Sequence, residues 1–151
     1  MPMRFVKESR IEASPQRVFD FHLRPGAFEK LNPPWEPARM IAADPSIRVG
    51  KRVEILIGRW PLRLRWVAEY VEYEAGRMFA DRQVSGPFAS WLHRHWFLDD
   101  GSGGTLMRDE VDYELPLGRL GATLGGNLVR RRLERMFTFR HEALKNVMAE
   151  E

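Results

Sequence analysis

Two histidines, His93 and His95, stand two residues apart in the run Trp91-Leu92-His93-Arg94-His95-Trp96-Phe97. Asp109 and Tyr113 follow in Met107-Arg108-Asp109-Glu110-Val111-Asp112-Tyr113-Glu114-Leu115. Side chains alternate across a strand, so Trp91, His93, His95 and Phe97 share one face of the first run. Met107, Asp109, Val111, Tyr113 and Leu115 share a face of the second, and their charged alternates mark that face as the inward one. If the two faces coincide, an aspartate, a tyrosine and two histidines lie among Trp, Phe, Met and Val. A carboxylate withdrawn from water needs a partner, and a histidine is the natural one. Such a set can orient the polar end of a ligand. It can also act as an acid-base group, with His93 or His95 as base and Asp109 fixing its tautomer. A hydrogen-bonded structural network accounts for the same residues. His93, His95 and Asp109 are also a conceivable metal set. Nothing in the sequence completes it, and neither a metal nor a cofactor is expected.

These residues need a sheet to hold them. The segment from Phe5 to Ala13 alternates as a half-buried strand, then Ser14-Pro15 caps and opens a helix carrying Val18, Phe19 and Phe21. A second short helix is expected over Ala27 to Leu31, stopped by Asn32-Pro33-Pro34. Strands follow near Ala38 to Ala43, Arg52 to Ile57, Leu62 to Tyr73, Met78 to Val84, Ser90 to Asp99 and Thr105 to Leu115. Most are joined by short Gly-bearing turns, which imply antiparallel neighbours. After Pro116 the period changes, and Leu120, Leu124, Leu128, Leu133, Phe137, Leu144 and Met148 read as one apolar stripe. The helix is strongest over Asn127 to Ala149, and Gly118, Gly121, Gly125 and Gly126 predict an irregular first part.

One helix about 10–12 Å across does not cover a flat sheet of this width. The expectation is an α+β domain whose curved seven-stranded antiparallel sheet wraps a long C-terminal helix, with two short helices after the first strand. A gap between sheet and helix would hold a small apolar molecule. Its expected lining is Leu64, Trp66, Trp91, His93, His95, Phe97, Met107, Asp109, Val111 and Tyr113 from strands, and Leu133, Phe137 and His141 from the helix. Trp35 and Trp60 lie beside loops suited to an entrance.

The chain has 151 residues, 44% hydrophobic and 30% charged, enough for one cored domain spanning 1–151. It has no cysteine, which excludes disulfides, thiolate metal sites and a cysteine nucleophile. No phosphate-binding glycine loop, Gly-x-Ser-x-Gly elbow or His-Glu-x-x-His motif is present. Met1-Pro2-Met3-Arg4-Phe5 does not begin a signal peptide, and a cytoplasmic protein is expected. The net charge of +3 is small, and much of the excess lies in Arg130, Arg131, Arg132 and Arg135. That run reads as a solvated helix face or as a contact for an anionic membrane surface or a protein. Nucleic acid is not expected, since the basic residues are not interleaved with aromatics.

The order of elements and the two runs above, with Gly86-Pro87-Phe88 before them and Pro116-Leu117-Gly118 after, resemble the START-like or SRPBCC superfamily. The likeness is to the bacterial branch labelled polyketide cyclase/dehydrase-like, and it covers Phe5 to Met148. It implies the helix-grip fold and a cavity for lipids, polyketides, quinones or similar molecules. It leaves the activity open. A carrier or sensor of a hydrophobic molecule is the leading reading. The alternatives are a cyclase, dehydratase or isomerase using a His-Asp pair, and a protein- or membrane-interaction module.

Overall fold

The computed structural model describes residues 2–43, 46–59 and 61–151, so Trp60 lies outside the described residues. Strand β1 (Met3–Ile11) leads to α1 (Pro15–His22) and α2 (Ala27–Leu31). Six strands follow: β2 (Ala38–Ala43), β3 (Arg52–Ile57), β4 (Leu64–Glu74), β5 (Met78–Ser85), β6 (Ser90–Asp99) and β7 (Thr105–Glu114). Helix α3 (Gly118–Glu150) ends the chain. The sheet order is β1-β7-β6-β5-β4-β3-β2, antiparallel throughout. Ser14 caps α1 by accepting the Arg17 N–H at 3.3 Å, and Pro15 takes the first helical position, where its missing N–H costs nothing.

The sheet curls for a local reason. The β4–β5 register slips twice, between Val67 and Ala68 and between Tyr70 and Glu72, and the β2–β3 register slips between Met40 and Ala42. Each irregularity adds bend and twist. Helix α3 docks on the β1 and β7 side, where Phe137 meets Phe5 with ring centroids 5.5 Å apart. Helix α2 contacts both α3 and β2, spanning the opening on the other side.

Helix α3 departs from the sequence expectation in two ways. It is continuous from Gly118, with no irregular first part, and Leu120, Leu124 and Leu128 point to solvent. The inward face is set by Leu133 and Phe137, and stepping back from them by four reaches Val129, Gly125 and Gly121. The leucines stand one residue out of that phase, about 100° around the helix. The glycines are the contact face here. A Cβ on Gly125 would reach Leu115 Cδ1 at 3.8 Å, whereas one on Gly121 would collide with the Pro116 carbonyl.

This contrast fixes opposite signs for the same substitution. Gly121→Ala is expected to destabilise the protein by about 1–3 kcal/mol through overpacking. Gly125→Ala should stabilise it by about 0.5–1 kcal/mol through helix propensity. Urea unfolding of the two variants checks both signs.

Candidate functional site

Along β6 and β7 the inward residues change character in step. Phe97 and Met107 belong to an apolar cluster with Phe19, Leu144 and Met148, and Trp91, Val111 and Tyr113 to another with Phe5, Leu133 and Phe137. Between the two lies a polar layer of His93, His95, Asp109 and His141, all buried. Asp109 is 3% exposed, and both of its oxygens are used. Oδ1 lies 2.7 Å from His93 Nε2 and 3.4 Å from His95 Nδ1, while Oδ2 lies 2.6 Å from His141 Nε2. His141 Nδ1 meets Ser9 Oγ of β1 at 2.8 Å. No buried side-chain nitrogen or oxygen is left without a partner among the described residues.

Burial alone would raise the Asp109 carboxyl. Hydrogen bonds from His141 and His93, with the attraction of the His93 and His95 rings, outweigh it and hold the group well below the usual carboxylate range. His95 moves the other way for an imidazole: burial and the neighbouring His93 lower it, against the pull of Asp81 and Asp109. The His93 and His95 rings stack with centroids 3.6 Å apart, and Phe79 stacks on His95 at 4.2 Å.

A cavity of about 540 Å³ lies between the sheet and α3. Of the residues named from the sequence, Leu64, Trp66, Trp91, His93, His95, Leu133 and Phe137 line it. Phe97, Met107, Val111 and Tyr113 lie on the same concave face but pack in the core, and Asp109 and His141 sit behind the cavity wall. Tyr113 stays out of the polar network; its ring packs against Phe88 at 5.8 Å and Trp91 at 6.3 Å. The β2–β5 half contributes Met40, Val53, Ile55, Ile57, Ala68, Tyr70 and Phe79.

Several lining groups escaped the sequence reading. Asp81 of β5 is paired in register with His93, and its Oδ2 lies 3.0 Å from His95 Nε2. Alternation along Phe79, Asp81 and Gln83 was the available signal, and the short turn implied that β5 pairs with β6, but not the register that sets Asp81 opposite His93. Arg140 lines the cavity one helical step from Phe137, its guanidinium 5.7 Å from the Phe28 ring centre and without an acidic partner at ion-pair distance among the described residues. Burial pushes it down from the ordinary arginine value, against Asp109 and Asp81. His22 of α1 also lines the cavity.

The arginine run is largely occupied. Arg132 makes two 2.7 Å contacts to Glu36, Arg135 lies 4.9 Å over the Trp35 ring, and Arg130 reaches the Arg4 carbonyl at 3.4 Å. Arg131 has no partner among the described residues. Trp35 packs edge-on against Phe139 at 5.3 Å and does not line the cavity.

Burial lowers the His22 imidazole to about 4, against the hydrogen bond of Nδ1 to the Val18 carbonyl. The unfolded chain takes up this proton near pH 6.5 and the folded one resists until about 4. Stability is therefore full above pH 6.5 and falls as the pH drops through that window, by roughly 3 kcal/mol at most from this group. His95, lowered in the same direction, adds to the fall. Melting temperatures between pH 7 and 4 should show a shallower slope for His22→Phe than for the wild type; equal slopes would refute the assignment.

Solved structures share this architecture. TTHA0849 from Thermus thermophilus matches with a TM-score of 0.72 and 20% identity over 98% of each chain. Norcoclaurine synthase from Thalictrum flavum, in complex with dopamine and hydroxybenzaldehyde, matches with 0.72 and 12% identity over 100% of this chain and 88% of that one. A nucleoside-diphosphate sugar epimerase from Corynebacterium glutamicum matches with 0.69 and 28% identity, over 94% of this chain but 28% of that longer one. No curated protein matches the chain. Among the described residues, no helix is long and apolar enough to cross a membrane. The family model for polyketide cyclase / dehydrase and lipid transport matches residues 11–139. With the helix-grip sheet, the long helix and the cavity between them in place, the chain belongs to this START-like family.

Proposed function

We propose that this protein binds a hydrophobic small molecule, a lipid, polyketide or quinone by class, in the cavity between sheet and α3, as a carrier or sensor. The observation that supports the reading is the cavity: about 540 Å³ walled chiefly by aliphatic and aromatic side chains, with few polar groups. Buried apolar area contributes affinity at ~25 cal/mol per Å². His95, Asp81 and Arg140 give one polar end, so the ligand that fits has an apolar body and an oxygen-bearing terminus. The synthase of this fold caught with dopamine and hydroxybenzaldehyde makes small aromatic compounds a second class worth testing.

A catalytic reading is favoured by one feature. His95 faces the cavity, and burial shifts its imidazole toward the uncharged form, against the pull of Asp81 and Asp109. Cyclisation or dehydration of a bound polyketide would use it as base. Contact with an anionic membrane surface has its own support in the exposed Leu117, Leu120, Leu124 and Leu128, with Arg131 beside them.

Native mass spectrometry of the purified protein is expected to show mass above that of the polypeptide, released on denaturation as a defined apolar compound. Ile55→Trp, which fills the cavity from β3, should weaken binding of that compound or of a fluorescent hydrophobic probe at least about tenfold while the fold is kept. An empty protein that ignores such probes would sink the proposal. If His95→Ala abolishes turnover of a candidate substrate but keeps its binding, the catalytic reading gains; unchanged turnover removes it.

A further inference from the structure

We propose that the floor of the cavity is a binding site for a divalent transition-metal ion of the Zn²⁺ class, held by His93, His95 and Asp81. One ring nitrogen of each histidine and one carboxylate oxygen of Asp81 lie within 4.8 Å of one another. The three come from adjacent strands: Asp81 is the register partner of His93, and His95 follows two residues later on the same face. His95 Nε2 and Asp81 Oδ2 are 3.0 Å apart. Neighbouring ligands on a tetrahedral ion with bonds of 2.0–2.1 Å stand about 3.3 Å apart, so an ion enters between this pair with little movement.

The nitrogens on the far side of the rings are already held. Asp109 Oδ1 accepts from His93 Nε2 at 2.7 Å and faces His95 Nδ1 at 3.4 Å. Asp109 thereby fixes the tautomer of His93 and leaves its Nδ1 as a lone-pair donor, whereas His95 Nε2–H donates to Asp81 in the ion-free protein, so an ion bound there displaces that proton. Histidine ligands ordinarily have such a carboxylate behind them. His141, on the other oxygen of Asp109, locks that carboxylate in turn. The arrangement differs from the set suggested by spacing in sequence, where Asp109 is a third ligand. Here Asp109 is a positioning residue and Asp81 takes the coordinating role.

Charge and access agree with a cation. Asp81 and Asp109 carry two formal negative charges, and Arg140 supplies one positive charge nearby. These formal charges sum to −1, which a divalent ion offsets. Asp81, His93 and His95 line the cavity, whereas Asp109 does not. Three protein ligands leave a fourth position open, and that position faces the ligand space. Nitrogen and oxygen donors of this kind suit Zn²⁺ and Co²⁺ better than Ca²⁺ or Mg²⁺, which favour all-oxygen shells.

The test uses the full chain, stripped with EDTA and dialysed, then titrated with Zn²⁺ by calorimetry and with Co²⁺ by visible absorption. One equivalent should bind, with the Co²⁺ spectrum of a four- or five-coordinate site. Asp81→Asn and His95→Ala should each weaken Zn²⁺ at least about tenfold, and Asp109→Asn about 10–100-fold. Lys145→Ala, a change on the outer side of α3 away from the cavity, should bind as the wild type does. Because Asp109→Asn removes a buried charge and can fail to fold, Asp81→Asn, checked by circular dichroism, carries the decision. A folded wild type that binds no stoichiometric Zn²⁺ below about 0.1 mM overturns the proposal, as does tight binding unchanged in both Asp81→Asn and His95→Ala. Binding of a hydrophobic probe, measured in the same samples with and without Zn²⁺, reports separately on the cavity, so either reading can fail alone.

Discussion

The buried carboxylate of Asp109 is the constraint that organises this protein. A carboxylate cannot lie in an apolar interior unless its oxygens are engaged, and three imidazoles engage them here. Two of those imidazoles come from β6 and the third from α3, so satisfying one charge ties the long helix to the centre of the sheet. The Ser9 hydroxyl on His141 extends the same chain of contacts to β1. Removing one partner from such a group typically costs about 3–5 kcal/mol, because the others are left buried and uncompensated. The two apolar clusters on either side seal the layer from water and keep its interactions strong.

Much of this was written locally in the chain. Alternation in β7 identifies the inward face because the alternates Arg108, Glu110, Asp112 and Glu114 are charged, and in β6 Trp91, His93, His95 and Phe97 share the face that meets it. Ser14-Pro15 and the glycine turns mark boundaries for equally local reasons. What depends on the register between strands was not legible. Asp81 gains its meaning only from the register that sets it opposite His93, and the β4 register slips exist only as a relation between two strands. The phase of α3 shows a different limit. Apolar periodicity rewards leucine and ignores glycine, yet close packing against Pro116 selects Gly121 on the inward face, leaving Leu120, Leu124 and Leu128 outside.

That close packing also accounts for the cavity. Gly121 lets the first turn of α3 close on the Pro116 carbonyl, and the helix lies over β1 and β7. The sheet, bent at β4 and β2, carries its remaining strands away from the helix and round it. The space between is bounded by α2 and by the Arg132–Glu36 pair, which joins α3 to the segment after α2. The same arginine that reads as a free surface charge in the sequence is thus a clasp at the cavity margin.

The two inward carboxylates, though close, are placed for different work. Asp109 is sealed behind the wall with every oxygen committed, and its hydrogen-bonded imidazoles hold the carboxyl well below the usual carboxylate range. Asp81 is partly exposed, and His95 Nε2 is its one hydrogen-bond partner among the described residues. A group with all its bonds made can hold others in position but cannot exchange partners with a ligand. Of the two carboxylates, Asp81, with His95 and the free edge of His93, is the one placed on the cavity surface where a bound group would meet it. Asp109 and His141 set the orientation in which those groups meet whatever enters the cavity.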